Sequence, residues 1–295
     1  MTRRHSYASP EAFRRALTDK LKTMTKSSRW NLGQLLRQLA YDRLLERLYL
    51  VDEGWVVKGA AALLARDIGV RATIDLDLFR KAARDVAERD LREAAGRDIG
   101  DWFTLQAGPN QPVVGGVRIP ITAQIGTIEW AAFHVDLLGE ELVMTGEPER
   151  VPALVRVVMP DVEQHGYRVY PLVDHVADKV AATVQRYGER ELPSTRYKDL
   201  VDLVAIVSEA SVDATVQMAA LASESERRKI TLPQQFSVPD RELWERGYAA
   251  EARRSLLETA LTLDDALAVV KPFLDQLLDG SAKGTWAPER AAWDA

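Results

Sequence analysis

A period-two alternation of apolar and polar residues runs through Ala72-Thr73-Ile74-Asp75-Leu76-Asp77-Leu78-Phe79. Such alternation is typical of a half-buried β-strand. Residues i and i+2 of a strand point to the same face, so Asp75 and Asp77 should lie side by side. Two adjacent carboxylates repel each other unless a cation neutralises them, which favours a magnesium or manganese ion held by both. The alternative is an exposed strand face whose alternate positions are acidic.

A glycine turn precedes this strand. Residues 54–59, Gly54-Trp55-Val56-Val57-Lys58-Gly59, predict a short strand that ends in a turn, and residues 60–65 predict a brief helix. Backbone N–H groups and the positive dipole end at a helix N-terminus attract phosphate groups. We therefore expect Lys58, Gly59 and Ala60 to suit a nucleotide triphosphate.

A further acidic position lies later in the chain. The sequence predicts strands at Val117–Ile125 and Ile128–Leu138, joined by a turn at Gly126-Thr127, and another short strand at Leu154–Met159. Asp136 lies in the apolar second strand, where an unpaired carboxylate is costly to bury. As a third metal ligand it would complete a two-metal site for phosphoryl-type transfer. The alternative is an edge-strand residue that faces water.

Both ends of the chain are predicted to be helical. Ser9 can cap a first helix that has Pro10 at its first position, and a second helix covers residues 32–48. Further helices are predicted at residues 82–95, 172–187, 196–207, 213–222, 240–258 and 263–278. The layout predicts an α+β protein in four parts. These parts are a helical arm (1–50), an α/β core (51–165), a helical C-terminal domain that completes the active site (166–280) and a flexible tail (281–295).

Composition excludes several classes of protein. The chain has no cysteine and 4 His, which excludes disulfide scaffolds, thiol nucleophiles and Cys-ligated zinc, and leaves oxygen ligands for any metal. The net charge of −5 argues against a general nucleic-acid coat. The chain has neither an apolar run long enough for a membrane span nor an apolar segment behind its basic N-terminus. We therefore expect a cytoplasmic protein without a membrane partner.

Three motifs carry a resemblance to a known family. They are Arg71-x-Thr73-x-Asp75-x-Asp77, Ala177-Asp178-Lys179, and the run Ser194-Thr195-Arg196-Tyr197-Lys198-Asp199-Leu200-Val201-Asp202-Leu203. In this order they resemble the AbiEii/AbiGii-type toxins, including the mycobacterial MenT group, over about residues 10 to 280. The Arg-Tyr-Lys-Asp-Leu-Val-Asp-Leu segment is the most specific part. One departure is Gly59-Ala60, where the family usually has Gly-Ser or Gly-Gly, so a phosphate contact by Ala60 would use the main chain only.

The resemblance implies a fold and a set of site residues. The fold is the polymerase-beta-type nucleotidyltransferase fold, a small mixed sheet flanked by helices. The implied metal ligands are Asp75, Asp77 and Asp136, and the implied catalytic residues are Asp75, Asp77, Lys179 and Asp199. The implied nucleotide-binding residues are Lys58, Gly59, Ala60, Arg71, Thr73, Arg196, Lys198 and Asp202.

The late motifs have simpler interpretations from composition alone. Lys179 lies among small apolar residues, where snorkelling toward water is the usual behaviour, whereas the family pattern implies a contact with the triphosphate. Asp199 and Asp202 are three residues apart on one helical face. One could accept a hydrogen bond from the nucleotide or orient Lys179, while the other pairs with a neighbouring cation. We assign function to Asp199 and a structural role to Asp202.

The function implied by the resemblance is that of a toxin in a toxin–antitoxin system. It would transfer NMP from an NTP, with Mg²⁺ or Mn²⁺, to the 3′ acceptor end of tRNA, which blocks aminoacylation and translation until an antitoxin binds. Alternatives are a small hydroxylated acceptor such as an aminoglycoside, a protein side chain as acceptor, and a catalytically silent module that binds nucleotide or antitoxin. A basic cluster of Arg186, Arg190, Arg196, Lys198 and Arg227-Arg228-Lys229 would suit an RNA end, or is a solvated face. The sequence lacks the motifs of P-loop proteins, protein kinases and G-x-S-x-G hydrolases.

Overall fold

The structure, a computed structural model, describes residues 5–113, 115–138 and 142–294. The remaining positions of the predicted arm (1–4), core (114 and 139–141) and tail (295) lie outside the described residues. The chain forms two compact units. The first comprises Met1–Ala65, Thr73–Leu142 and Glu149–Val169, and the second comprises Arg66–Ala72, Val143–Pro148 and Tyr170–Ala295. Among the described residues, no helix is both long and apolar enough to cross a membrane.

The first unit contains helices and a mixed sheet. Its helices are α1 (Pro10–Met24), α2 (Leu32–Tyr49), α3 (Gly59–Ala65) and α4 (Arg84–Ala95). Its strands are β1 (Trp55–Val57), β2 (Asp75–Arg80), β3 (Phe103–Ala107), β4 (Gln111–Val113), β5 (Gly116–Ile125), β6 (Ile128–Leu138), β7 (Glu149–Val151) and β8 (Tyr167–Val169).

The sheet has eight strands in the order β3-β5-β6-β2-β1-β8-β7, with β4 also paired to β5. The β2–β6 and β1–β8 pairs are parallel, and the other pairs are antiparallel. β5 and β6 form the hairpin that the sequence predicts, with its turn at Gly126-Thr127. This mixed sheet with flanking helices confirms the predicted α+β class.

The predicted helical arm is an integral part of the first unit. Phe13, Leu17 and Leu21 of α1 are fully buried within its apolar core. α2 also buries charged side chains, since the guanidinium of Arg47 donates to both carboxylate oxygens of Asp101 at 2.7 and 2.9 Å. A helix with buried residues on most of its faces cannot be a separate arm in water, because its apolar surface needs covering.

The predicted strand at Leu154–Met159 is wrong. The backbone N–H groups of Leu154 and Val155 donate instead to the carboxylate of Asp42, at 3.0 and 2.9 Å. The segment is irregular because a buried side chain, rather than a neighbouring strand, satisfies its donors. The strands β7 and β8, which come before and after this segment in the chain, belong to the sheet, and so does β3. The sequence analysis predicts none of these three strands.

The second unit is mainly helical. Its helices are α5 (Leu172–Val184), α6 (Tyr197–Glu209), α7 (Ala214–Arg228), α8 (Arg241–Arg254) and α9 (Leu263–Leu278). Two short hairpins complete it, made by β9 (Arg186–Tyr187) with β10 (Leu192–Pro193) and by β11 (Thr285–Ala287) with β12 (Ala292–Asp294).

The second hairpin lies where the sequence analysis expects a flexible tail. Trp286 is 1% exposed, and its indole N–H donates to the carbonyl of Val207 at 2.8 Å. Its ring packs against Phe273 and Trp293 with centroids 5.1 and 5.5 Å away. Tryptophan buries a large apolar area, so this segment is folded onto the helices of the second unit.

Candidate active site

The register of the sheet brings three carboxylates together in the first unit. Asp75 and Asp77 lie on β2, and β6 sets Asp136 opposite Asp77 and His134 opposite Asp75. Directly opposed residues of neighbouring strands point to the same face of a sheet. Asp75 and Asp77 are two residues apart, so all three carboxylates lie on one face, and all three are half-buried.

Gly59 fits closely against this face. Its φ is +61°, and a Cβ at this position would overlap the carboxylate of Asp77. The backbone N–H of Lys58 donates to the carbonyl of Asp77 at 2.8 Å, which fixes the turn beside β2. Both Lys58 and Ala60 are buried, at 6% and 5% exposure. The sequence analysis assigns this glycine to phosphate binding, and the structure gives it a further reason: only glycine leaves room for Asp77.

Arg118 is a residue of this face that the sequence analysis misses. It lies on β5 directly opposite Asp136. Its Nε and Nη2 donate to the two oxygens of Asp136, each at 2.7 Å. The hydrogen bonds to Asp136 raise the pKa of Arg118 above its usual range. In the sequence, Arg118 is recognisable only as a lone arginine in an alternating strand. Its partner Asp136 is identified only by the register between β5 and β6.

One oxygen of Asp75 lacks a hydrogen bond within the described part of the chain. Oδ1 is buried and accepts none from the described residues. Nη2 of Arg118 lies 3.5 Å from it as an ion pair without hydrogen-bond geometry, and Nδ1 of His134 lies 3.7 Å away. The carboxylate of Asp77 lies on the same face, two residues further along β2. A hard divalent cation prefers such carboxylate oxygens, so Asp75 and Asp77 fit a magnesium or manganese ion.

Thr73 fixes the entry to β2. Its hydroxyl donates to the carbonyl of Asp75 at 3.0 Å and accepts from the backbone N–H of Asp75 at 3.2 Å. The hydroxyl of Tyr41 donates to the carbonyl of Thr73 at 3.0 Å. Thr73 therefore orients the backbone that carries Asp75, and this contact is local to the first unit.

A buried ion-pair cluster lies in the second unit. Nζ of Lys179 is 2.6 Å from Oδ2 of Asp202 and 3.2 Å from Oδ1 of Asp199. Nε and Nη2 of Arg71 donate to the two oxygens of Asp202, each at 2.8 Å. Lys179, Asp199 and Asp202 are all at most 6% exposed. The structure thus groups four predicted site residues in this unit: Arg71, Lys179, Asp199 and Asp202.

The charges of this cluster stabilise one another. Burial alone would raise the pKa of Asp202, but the positive charges of Lys179 and Arg71 outweigh burial and lower it from 3.8 to about 2. Burial alone would lower the pKa of Lys179, but Asp202 and Asp199 outweigh it and hold that pKa above 10.5. Lys179 is therefore a protonated, fixed cation and not a side chain that snorkels to water.

The remaining predicted contacts of the late motif lie at the start of α6. Nε of Arg196 donates to Oδ2 of Asp199 at 2.6 Å, and the Arg196 side chain is still 60% exposed. The charge of Asp199 raises the pKa of Arg196. Lys198 is exposed. Asp199 thus links the exposed Arg196 to the buried Lys179.

The predicted basic cluster is partly neutralised within the second unit. Arg227 and Arg228 pair with Glu224, and Nη2 of Arg228 lies 2.9 Å from Asp178. Arg186 donates to the carbonyls of Glu191 and Pro239. Ion pairs of this kind reduce the positive field that an RNA end would meet.

Comparison with known protein families gives one match. The profile of the family described as "Nucleotidyl transferase AbiEii toxin, Type IV TA system" matches residues 43–269. No curated protein matches the sequence.

Among solved structures, the fold is similar to that of MenT4, a nucleotidyltransferase toxin from Mycobacterium tuberculosis, with a TM-score of 0.52 and 15% identity. The match covers 90% of this chain and 97% of that one, and it confirms the predicted nucleotidyltransferase fold. JHP933 from Helicobacter pylori matches with a TM-score of 0.43 and 14% identity, over 83% of this chain and 89% of that one.

Proposed function

The chain belongs to the AbiEii nucleotidyltransferase toxin family, and on this premise we propose that it transfers NMP from an NTP to the 3′ acceptor end of tRNA. The reaction breaks the bond between the α- and β-phosphates, joins the α-phosphate to the acceptor hydroxyl, and releases pyrophosphate. A tRNA extended in this way could not be aminoacylated, so translation would stop. The observation that carries the proposal is the carboxylate pair on β2, with the buried Oδ1 of Asp75 left without a hydrogen bond.

Asp75 and Asp77 are the residues that would hold Mg²⁺ or Mn²⁺. Carboxylate oxygens suit either ion, and a buried oxygen that accepts no hydrogen bond is costly unless a ligand uses it. When bound, the ion would stabilise negative charge on the phosphates in the transition state. Gly59 supports this role because it leaves the Asp77 carboxylate in place. The same two carboxylates can accept the proton of the attacking hydroxyl.

Cations and backbone donors would hold the triphosphate. Lys179 has three N–H donors, of which two face Asp199 and Asp202, and we assign the third to a phosphate oxygen. Arg196, fixed through Asp199 and exposed to solvent, is the second phosphate contact. Arg71 and Asp202 position Lys179. The residues assigned to further contacts with the nucleotide are Lys58, Gly59, Ala60, Thr73 and Lys198.

A second candidate function keeps the chemistry and changes the acceptor to a small hydroxylated molecule. The observation that favours it is the pairing of Arg227 and Arg228 with Glu224 and Asp178, which removes charge from the predicted RNA-binding cluster. The family description names a toxin–antitoxin system. We accordingly propose a cognate antitoxin as the protein partner and the cytoplasm as the location.

The test incubates the purified chain with Mg²⁺, total tRNA and each of the four α-labelled NTPs in turn. We expect label in tRNA with at least one NTP, and no label with Asp77→Asn. Asp19→Asn is the matched control, because Asp19 is an exposed carboxylate on α1 and should leave labelling unchanged. Periodate-oxidised tRNA, which lacks the 3′ diol, should accept no label.

An aminoglycoside serves as the alternative acceptor in a parallel reaction. Label in the aminoglycoside but not in tRNA would overturn the tRNA proposal and support the small acceptor. No label in any acceptor, from a folded protein that binds Mn²⁺, would overturn both and support a silent binding module.

A further inference from the structure

Arg118 stands in a row of charged residues that crosses three strands. The register sets Arg118 of β5 opposite Asp136 of β6, and Asp136 opposite Asp77 of β2. Asp75 lies on the same face, two residues before Asp77. The face therefore presents three carboxylates, one guanidinium and the imidazole of His134, all supplied by regular strands of one unit.

The guanidinium occupies the space between two of these carboxylates. Arg118 makes two hydrogen bonds of 2.7 Å to Asp136, and its Nη2 also lies 3.5 Å from Oδ1 of Asp75. Both oxygens of Asp136 are thus engaged. By contrast, Oδ1 of Asp75 is buried and accepts no hydrogen bond from the described residues.

Charge balance separates the roles of the carboxylates. Three carboxylates against one guanidinium leave two negative charges, which one divalent cation neutralises. Arginine is always charged, and its planar fork matches a carboxylate in a bidentate pair, so it is a permanent cation at this position. Within the part of the chain that the structure describes, no group of three His, Cys, Asp or Glu side chains is arranged to hold a metal ion.

We propose that Arg118 is a built-in cation that removes Asp136 from the metal-binding set, so that the chain binds one divalent ion on Asp75 and Asp77. This assignment rests on the proposed function for its catalytic meaning. Arg118 is a positioning residue: it holds Asp136 in the place where a third metal ligand is expected. A second ion at Asp136 would have to bind beside the fixed positive charge of Arg118, which opposes it.

The experiment counts Mn²⁺ ions bound per chain by electron paramagnetic resonance, without nucleotide. The wild type should bind one ion, and Asp75→Asn should bind none. Arg118→Gln, which frees Asp136, should bind two, and the double variant Arg118→Gln/Asp136→Asn should return to one. Arg118→Lys retains a positive charge and should also bind one.

Two ions in the wild type would overturn the assignment, and so would one ion in a folded Arg118→Gln variant. If Arg118→Gln does not fold, Asp136→Asn decides the question. Its Mn²⁺ affinity should fall by no more than about 100-fold, because Arg118 then lacks its partner near Asp75. A loss as complete as that of Asp75→Asn would show that Asp136 is a ligand.

Counting ions requires no turnover, so this inference and the proposed function can fail separately. One ion in the wild type and two in Arg118→Gln, without label in any acceptor, would retain the role of Arg118 and reject the transferase. Labelled tRNA together with two ions in the wild type would do the reverse.

Discussion

Substitution of Gly59 by alanine tests whether the glycine turn exists to make room for Asp77. The backbone at Gly59 has φ +61°, a left-handed conformation that costs a residue with a Cβ about 1–2 kcal/mol. The added Cβ would also lie 2.8 Å from Cγ and 3.3 Å from Cβ of Asp77, besides overlapping its Oδ2. Rotation of the carboxylate moves Oδ2 but not Cγ, so Asp77 has to change its χ1 angle.

Leaving a preferred rotamer costs about 0.5–1.5 kcal/mol. Gly59→Ala should therefore lower the free energy of unfolding by about 1.5–3.5 kcal/mol in total. The matched control is Gly126→Ala, in the same unit with φ +62°, where the nearest atom would be Cβ of Pro10 at 3.2 Å. A second control is Gly188→Ala, with φ +70° and no atom within 4 Å. Both controls should lose only the backbone cost of about 1–2 kcal/mol.

The decisive difference lies in function rather than in stability. Displacement of Asp77 by about 1 Å should reduce nucleotidyl transfer by about 100-fold and weaken Mn²⁺ binding, while the two controls keep both. Urea denaturation gives the stabilities, and the labelling and Mn²⁺ assays give the functional losses. If Gly59→Ala kept wild-type Mn²⁺ affinity and transfer, the close approach of Gly59 to Asp77 would have no bearing on the site.

Four further predictions concern charge and burial. Asp202→Asn, which leaves Lys179 and Arg71 without their shared carboxylate, should destabilise the chain by about 3–5 kcal/mol, against less than about 1 kcal/mol for the exposed Asp264→Asn. The pKa of Asp202 is lowered to about 2, so its contribution to stability is present above pH ~4 and is lost as pH falls toward 2. Acid unfolding followed by circular dichroism should show this loss in the wild type but not in Asp202→Asn. Burial raises the pKa of Asp42 to about 7. The ionisation of this group therefore lowers the free energy of unfolding by up to about 4 kcal/mol as pH rises from ~4 to ~7. The urea midpoint should fall over this range in the wild type, and an equal fall in Asp42→Asn would contradict the assignment. Trp286→Ala should lower the free energy of unfolding by about 3–5 kcal/mol, measured by thermal or urea denaturation, because Trp286 is buried. Trp293→Ala should have a clearly smaller effect because Trp293 is partly exposed. If the segment were a flexible tail, neither substitution would change stability.

The sequence predicts elements well where a local pattern is complete. The period-two run at residues 72–79 and the hairpin at 117–138 need only alternation and a glycine turn. The hairpin forms as predicted, and the run forms a strand from Asp75 onward, while residues 72–74 lie outside it. Ser9 accepts from the backbone N–H of Ala12 at 3.2 Å, as expected of the cap of α1. These features depend on neighbours within a few residues, which the sequence contains directly.

Features that depend on distant partners were not predictable in the same way. An apolar run at 154–159 satisfies the composition of a strand, but Asp42, more than 110 residues away, takes its backbone donors. Glycines and a proline near the C-terminus indicate a tail, yet Trp286 finds a buried site against Phe273. In each case a long-range contact overrides the local preference.

The two clusters of charged side chains differ in the way their carboxylates are satisfied, and this difference separates binding from positioning. Both oxygens of Asp202 are hydrogen-bonded to Arg71 or Lys179, and both oxygens of Asp136 to Arg118. The negative charge of each of these two carboxylates is already balanced by fixed cations, which makes either one a weaker ligand for a metal ion. Oδ1 of Asp75 is buried and accepts no hydrogen bond from the described residues, a cost of about 1–3 kcal/mol that the proposed cation would offset. The sequence shows only that these residues are aspartates, and the pairing of each oxygen is the reason why we assign the metal ion to Asp75 and a positioning role to Asp136 and Asp202.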